Sequence, residues 1–169
     1  LATQTKTLRI MSAGDGKFRV RAADQRFVEA PRVVALDHYG HVITSENLDD
    51  LAVVADLKET STGAELAGAT IANILSGQAT FDEILLRDNP NSGPHQLWFY
   101  ADLALGKGLE RRVESESNTN VVVGACEGNT VEKTTAVDGK RECGVCDGVN
   151  QLARNGVCEC QDDYVMGPL

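Results

Sequence analysis

Short apolar segments recur along the first 125 residues, and glycine, proline or asparagine separates them every eight to twelve residues or so. Several segments alternate apolar with polar residues, which is the two-residue period of a β-sheet with one buried and one solvated face. The pattern predicts an antiparallel sandwich. Eight candidate strands lie at residues 8–11, 18–21, 32–36, 51–55, 70–74, 79–86, 96–100 and 120–123.

The segment 63–86 admits two interpretations. Its apolar positions also fit the period of an amphipathic helix with a cap at each end. However, Ser76-Gly77 supplies the chemistry of a tight turn, and the residues from Gln78 onward continue as a strand. We therefore predict a β-hairpin here rather than a helix.

All five cysteines lie in the last 45 residues. From the first of them onward there is no Phe, Trp or Ile. Burial of apolar area stabilises a fold by about 25 cal/mol per Å², and this region has too little apolar area to stabilise a core of its own. Small modules rich in cysteine are typical of secreted disulfide scaffolds. We predict two units, residues 1–124 and residues 125–169, in an oxidising compartment. The cysteines expected to form disulfides are Cys126, Cys143, Cys146, Cys158 and Cys160.

Zinc is the alternative interpretation of these cysteines, because two closely spaced thiolate pairs can complete a tetrahedron. A second pair separated by a single residue, Cys158 and Cys160, is tight for a zinc ribbon. The region also contains no histidine, and Cys126 would have no role. Structural disulfides are the preferred interpretation, with no metal and no cofactor.

Charge and the missing catalytic motifs restrict the function. The net charge of −9 repels nucleic acid and anionic lipid surfaces. No apolar run approaches the roughly 18 residues of a membrane span. There is no Gly-x-Ser-x-Gly elbow, and His38 and His41 lie in a glycine-containing turn where we expect them to face water. The chain is therefore predicted not to be an enzyme, to bind no nucleic acid and not to insert into membranes.

The order of motifs along residues 7–124 carries a family resemblance. A strand that starts at Pro31 ends in Asp37, and a turn containing Gly40 follows it. Three further motifs come next in order, at residues 63–70, 76–86 and 93–101. This arrangement resembles the immunoglobulin-like β-sandwich repeat of cell-surface and adhesin-like proteins. The resemblance implies an all-β fold with an Ig-like antiparallel sandwich in residues 1–124.

The cysteine spacing of residues 125–169 is similar to EGF-like and ephrin-receptor-like cysteine-rich modules, which follow such sandwiches in surface proteins. The EGF-like order implies disulfides joining Cys126 to Cys146 and Cys143 to Cys158. Cys160 would then pair with a sixth cysteine beyond Leu169, so we expect the module to be incomplete at its C-terminus.

Both resemblances imply a non-enzymatic extracellular structural protein, a subunit of a surface filament, matrix or adhesive structure. Its partners would be further copies of itself, glycans or other surface proteins. A binding module for carbohydrate or protein, using Trp98 and Tyr100 as contact aromatics, is one alternative. A zinc-binding regulatory protein is the other.

The N-terminal stretch, residues 1–12, is a candidate for exchange between copies. Leu8, Ile10 and Met11 give it strand character, and a glycine-containing link joins it to the rest of the chain. A strand donated to the sheet edge of a neighbour would make a heterologous contact, which propagates as a helical filament unless the rotation closes a ring. The alternative is that this segment forms the first strand of its own sandwich.

Overall fold

The computed structural model describes residues 5–11, 15–44, 51–58, 63–106, 108–135, 140–148, 151–154 and 157–160. These residues form β-strands and no helix, which confirms the predicted all-β class. Within these ranges there is accordingly no helix of the length and hydropathy needed to cross a membrane. The strands are β1 (Thr7–Met11), β2 (Lys17–Val20), β3 (Arg32–Leu36), β4 (Ala52–Lys58), β5 (Glu65–Gly68), β6 (Ile71–Asn73), β7 (Gln78–Thr80), β8 (Ile84–Arg87), β9 (His95–Gly106), β10 (Leu109–Glu114), β11 (Thr119–Val123), β12 (Thr130–Thr134), β13 (Arg141–Val145), β14 (Gln151–Arg154) and β15 (Val157–Cys160).

Strands β1 to β11 build two principal sheets. One has the order β1-β3-β7, and the other has the order β2-β11-β9-β4-β6, with β10 also paired to β9. Strands β5 and β8 form a separate two-stranded ladder. The ladders are antiparallel except for that between β2 and β11, which is parallel.

The core lies between these sheets and takes its residues from alternate strand positions. Along β9, Leu97, Phe99 and Ala101 are buried, whereas the residues between them face outward. The Phe99 ring lies 5.1 Å from that of Phe81, which follows β7 in the other sheet. This cross-sheet aromatic contact joins the two layers at the centre of the core.

The segment 63–86 contains four strands, so the prediction of β-structure over helix is confirmed. Ser76 and Gly77 have φ angles of 52° and 84°, the positive values of a type I′ turn, and Leu75 and Gln78 exchange backbone hydrogen bonds across them. The turn does not close a hairpin within one sheet, because β6 pairs with β4 and β7 pairs with β3. The strand predicted at 79–86 is divided into β7 and β8.

Strand β1 pairs within its own chain in this structure. It pairs with β3 over its full length, and the Leu8 carbonyl accepts a hydrogen bond of 2.8 Å from the Glu116 amide on its other side. Leu8 is fully buried, Ile10 packs against the core and Met11 is 40% exposed. Exchange of this strand between copies therefore stays a prediction, and residues 1–4 lie outside the described ranges.

The disulfides differ from the expected pairing. Cys126 is bonded to Cys143, and Cys146 is bonded to Cys158. The order implied by EGF-like modules was therefore wrong for these four cysteines. The reason lies in the strand pairing, since β12 with β13 and β14 with β15 form two successive hairpins. Each bridge joins the cysteine that precedes a hairpin to the cysteine in the second strand of that hairpin. The side chain of Cys160 lies outside the described part of the structure.

The loop between β8 and β9 contacts the cysteine-rich hairpin of β12 and β13. The Asn89 side chain accepts a hydrogen bond of 2.8 Å from the Arg141 amide, and the Asn91 side chain donates one of 2.7 Å to Glu132. At the base of the loop, His95 Nε2 lies 2.7 Å from Asp88 Oδ2, and both side chains are more than 90% buried. This buried pair ties the two ends of the loop together.

Candidate functional site

The outward side of β9 presents two aromatic side chains. Trp98 and Tyr100 are two residues apart and therefore share the face opposite the core, where both are partly exposed. Their ring centroids are 5.0 Å apart. The sequence pattern placed aromatics on both sides of this strand, and the structure has them there, with Phe99 on the buried side.

Neighbouring strands supply a cation to each aromatic ring. Lys58 of β4 holds its ammonium nitrogen 4.7 Å from the centre of the Trp98 ring. Arg112 of β10 holds its guanidinium carbon 4.1 Å from the centre of the Tyr100 ring. Both distances are within the range of a cation–π interaction, which restrains the orientation of the rings.

Arg112 is in turn fixed by Asp102, its direct cross-strand partner on β9. Two hydrogen bonds join the groups, at 2.8 Å from Nε and 3.2 Å from the second nitrogen. The bond from Arg112 lowers the pKa of the Asp102 carboxyl below its usual value, and the same bond raises the pKa of Arg112. Both groups stay ionised across the neutral range. We name Lys58, Trp98, Tyr100, Asp102 and Arg112 the aromatic face.

A groove of about 380 Å³ opens beside Tyr100, between β4 and β5. Val54 and Leu66 contribute apolar walls, and Asp56 and Glu65 contribute carboxylates. The aromatic face therefore borders a recess with hydrogen-bond acceptors. Such an arrangement suits contact with a surface that offers both apolar area and hydrogen-bond donors.

The other sequence candidates lie apart from the aromatic face. His38 and His41 are in the turn after β3, where the Asp37 carboxylate accepts backbone hydrogen bonds from Tyr39 and His41. The bond from the His41 amide and then that from the Tyr39 amide lower the pKa of Asp37 below its usual value. The described residues contain no group of three or more His, Cys, Asp or Glu side chains placed to hold a metal ion.

Comparison with known proteins gives no relative for this chain: no family model matches it, and no curated protein or solved structure is significantly similar to it. The geometry supports an all-β fold with a disulfide-closed cysteine-rich part. These two features are compatible with the resemblance drawn from the sequence.

Sequence reasoning found Trp98 and Tyr100 but missed the three charged members of the aromatic face. Lys58 is 40 residues from Trp98, and Arg112 reaches Tyr100 only because β10 folds back along β9. Lys58 faces the ring because β4 runs antiparallel beside β9. The alternation within β9 was visible in the sequence, whereas the register between the strands was not.

Proposed function

We propose that this chain is a non-enzymatic extracellular structural protein, a subunit of a surface filament, matrix or adhesive structure. The observation that carries the proposal is the composition of the aromatic face. Trp, Tyr and Arg are the residues most enriched among those that dominate protein–protein binding. Here one of each lies on a single sheet surface, with Trp98 and Tyr100 partly exposed and held by neighbouring cations.

Two further features support this assignment. Disulfides persist in oxidising environments, and this chain has two, closing loops of 17 and 12 residues. The sandwich is proposed to be of the immunoglobulin-like type, with its sheets built mainly from antiparallel strands around one core. Such domains commonly present contact surfaces on a rigid scaffold.

Electron microscopy of the native material tests the proposal, because an assembling subunit gives ordered filaments or lattices and a monomeric binder does not. A double variant, Trp98→Ala with Tyr100→Ala, should reduce assembly if the aromatic face is a contact surface. Tyr39→Ala is the matched control, since Tyr39 is an aromatic residue that is 74% exposed in the turn after β3. Native material that stays monomeric at high concentration would contradict the proposal.

Carbohydrate binding is a second candidate, favoured by the groove next to Tyr100. Aromatic rings stack on the apolar faces of sugars, and the carboxylates of Asp56 and Glu65 could accept hydrogen bonds from hydroxyl groups. Calorimetric titration with neutral oligosaccharides distinguishes the two functions. Binding that is lost in Trp98→Ala with Tyr100→Ala and kept in Tyr39→Ala would favour the carbohydrate module.

A zinc-binding role receives no such support. Four of the cysteines are joined in disulfides, so they are not available as thiolate ligands in this structure.

A further inference from the structure

Strand β6 forms one end of the larger sheet. The ladder to β4 uses the backbone groups of alternate residues, as shown by the hydrogen bonds from Ala55 to Thr70 and from Ile74 to Leu51. By the alternation of an antiparallel ladder, the N–H and C=O groups of Ile71 and Asn73 point away from β4. No described strand pairs with Ile71 to Asn73 on that side. Two residues further along the chain, Leu75 exchanges hydrogen bonds with Gln78 at the start of β7.

The opposite end of the same sheet is covered. Strand β2 lies there, and the segment after it folds back, with the Val28 amide donating to Arg19 and the Arg21 amide donating to Arg26. In the smaller sheet, the outer side of β1 is bonded to residues 115 and 116. Of the two ends of the strand order β2-β11-β9-β4-β6, β6 is therefore the one left open for pairing within the described residues.

The residues around β6 lack the usual protection of an open edge. Natural sheets discourage edge pairing with lysine, proline or inward-pointing charges. In this chain no Asp, Glu, Lys, Arg or Pro occurs between Glu65 and Asp82. Two large apolar side chains are instead exposed on and beside the strand, Ile71 at 58% and Leu75 at 62%.

A groove of about 430 Å³ runs beside this edge, between β6 and β7. Ile71, Leu75 and Thr80 contribute to its walls. The edge also adjoins the aromatic face, because Ile71 is opposite Val54 on β4, and Val54 is opposite Tyr100 on β9. A strand added to β6 would thus extend the surface that carries the exposed aromatics.

We propose that β6 pairs with β6 of a second copy of this chain, antiparallel and about a twofold axis at Ala72. This inference rests on the proposed function and identifies a second contact, next to the aromatic face, through which copies of the subunit associate. The symmetry of the open groups favours a second copy, because Ile71 and Asn73 lie one residue on either side of Ala72 and an identical strand can satisfy both residues at once. The charge distribution is compatible with this contact. Each copy carries a net charge of −9, so the uncharged stretch around β6 is where two copies approach with least repulsion.

The twofold arrangement satisfies the open backbone groups of both copies. Ile71 would face Asn73 of the partner subunit, and Asn73 would face the partner's Ile71. Each facing pair would exchange two hydrogen bonds. Ala72 would face its own copy across the axis in a non-hydrogen-bonded pair, where Cα atoms are about 4.5 Å apart. The larger sheets of the two copies would then become one continuous sheet.

Sedimentation velocity tests this pairing when the protein concentration is varied over about two orders of magnitude around the micromolar range. We expect the full chain to dimerise, and Ile71→Lys and Asn73→Lys each to weaken the dimer about tenfold or more. Val28→Lys is the matched control, because Val28 is equally exposed at 63% but lies at the covered end of the sheet. Circular dichroism verifies that each variant keeps its β-structure.

Cysteine cross-linking tests the register independently. In a Cys160→Ser background, Ala72→Cys should oxidise to a covalent dimer, since the expected Cα separation is within the range of a disulfide. Val28→Cys should not. A dimer that is insensitive to Ile71→Lys, with no cross-link through position 72, would overturn the assignment of the edge. A wild-type protein that stays monomeric would overturn it as well.

The proposed function is decided separately by electron microscopy of the same preparations. Ordered assemblies that persist in the Ile71→Lys protein would refute the β6 contact and leave the structural role standing. A wild-type dimer that depends on Ile71 but never assembles further would support the contact and refute the structural role.

Discussion

The disulfide pairing of the cysteine-rich part can be tested by removing one bridge at a time. Replacing Cys126 and Cys143 together by serine removes one disulfide and leaves the bridge between Cys146 and Cys158 intact. If the cysteines followed the order expected of an EGF-like module, the same double substitution would remove both bridges. One variant therefore separates the two connectivities.

The size of the effect follows from the loops that the bridges close. The loop between Cys126 and Cys143 spans 17 residues, and that between Cys146 and Cys158 spans 12. The loop-closure relation gives about 3.1 and about 2.8 kcal/mol at 25 °C, respectively, from the restricted unfolded chain. The values are close because the entropy depends on the logarithm of loop length. In each double serine variant, we expect the free energy of local unfolding to fall by about 3 kcal/mol in the hairpin whose disulfide was removed.

Peptide mapping without reduction and amide hydrogen exchange measure the two parts of this prediction. Mapping of the Cys126→Ser, Cys143→Ser protein should still yield a linked peptide that contains Cys146 and Cys158. Hydrogen exchange should accelerate in β12 and β13 more than in β14 and β15. Absence of the linked peptide, or wild-type protein with bound zinc and free thiols, would refute the local pairing.

Two further predictions concern hydrogen-bonded pairs of polar side chains. His95→Leu and Asp88→Leu should each lower the free energy of unfolding in urea by about 2 kcal/mol, because each removes the hydrogen-bond partner of a buried polar atom, Asp88 Oδ2 or His95 Nε2. The double variant should lose clearly less than the sum of the two single losses. Additive losses would show that the pair is not coupled. Arg112→Gln should return the pKa of Asp102 from its lowered value toward 3.8, measured by NMR titration, because the Arg112 hydrogen bond is the main cause of the shift. An Asp102 pKa that does not move in Arg112→Gln would contradict this explanation. Since the pKa of Asp102 is lowered in the folded protein, this carboxylate stabilises the fold above about pH 3.8. The stabilisation disappears as the pH falls through the lowered pKa.

Local patterns in the sequence determined the fold class and most of the strands. The two-residue period around Phe99 was sufficient to place Trp98 and Tyr100 on the face opposite the core. Ser76-Gly77 was sufficient to decide between strand and helix in a segment with mixed periodicity, because few residue pairs favour positive φ at both central positions of a tight turn. The five cysteines in the last 45 residues likewise indicated disulfides, because a cysteine-rich module is visible in the composition of a short segment.

Contacts between distant residues were decided only in the tertiary structure. Strands β5 and β10 carry weak local signals and form because β8 and β9 offer edges to pair with. The cations over Trp98 and Tyr100 depend on the registers of β4 and β10 against β9, and a shift of one residue would turn those side chains to the other face. The cysteine partners likewise depend on which strands form hairpins, because a disulfide forms where folding brings two Cα atoms within about 7 Å, and spacing along the chain does not specify that distance.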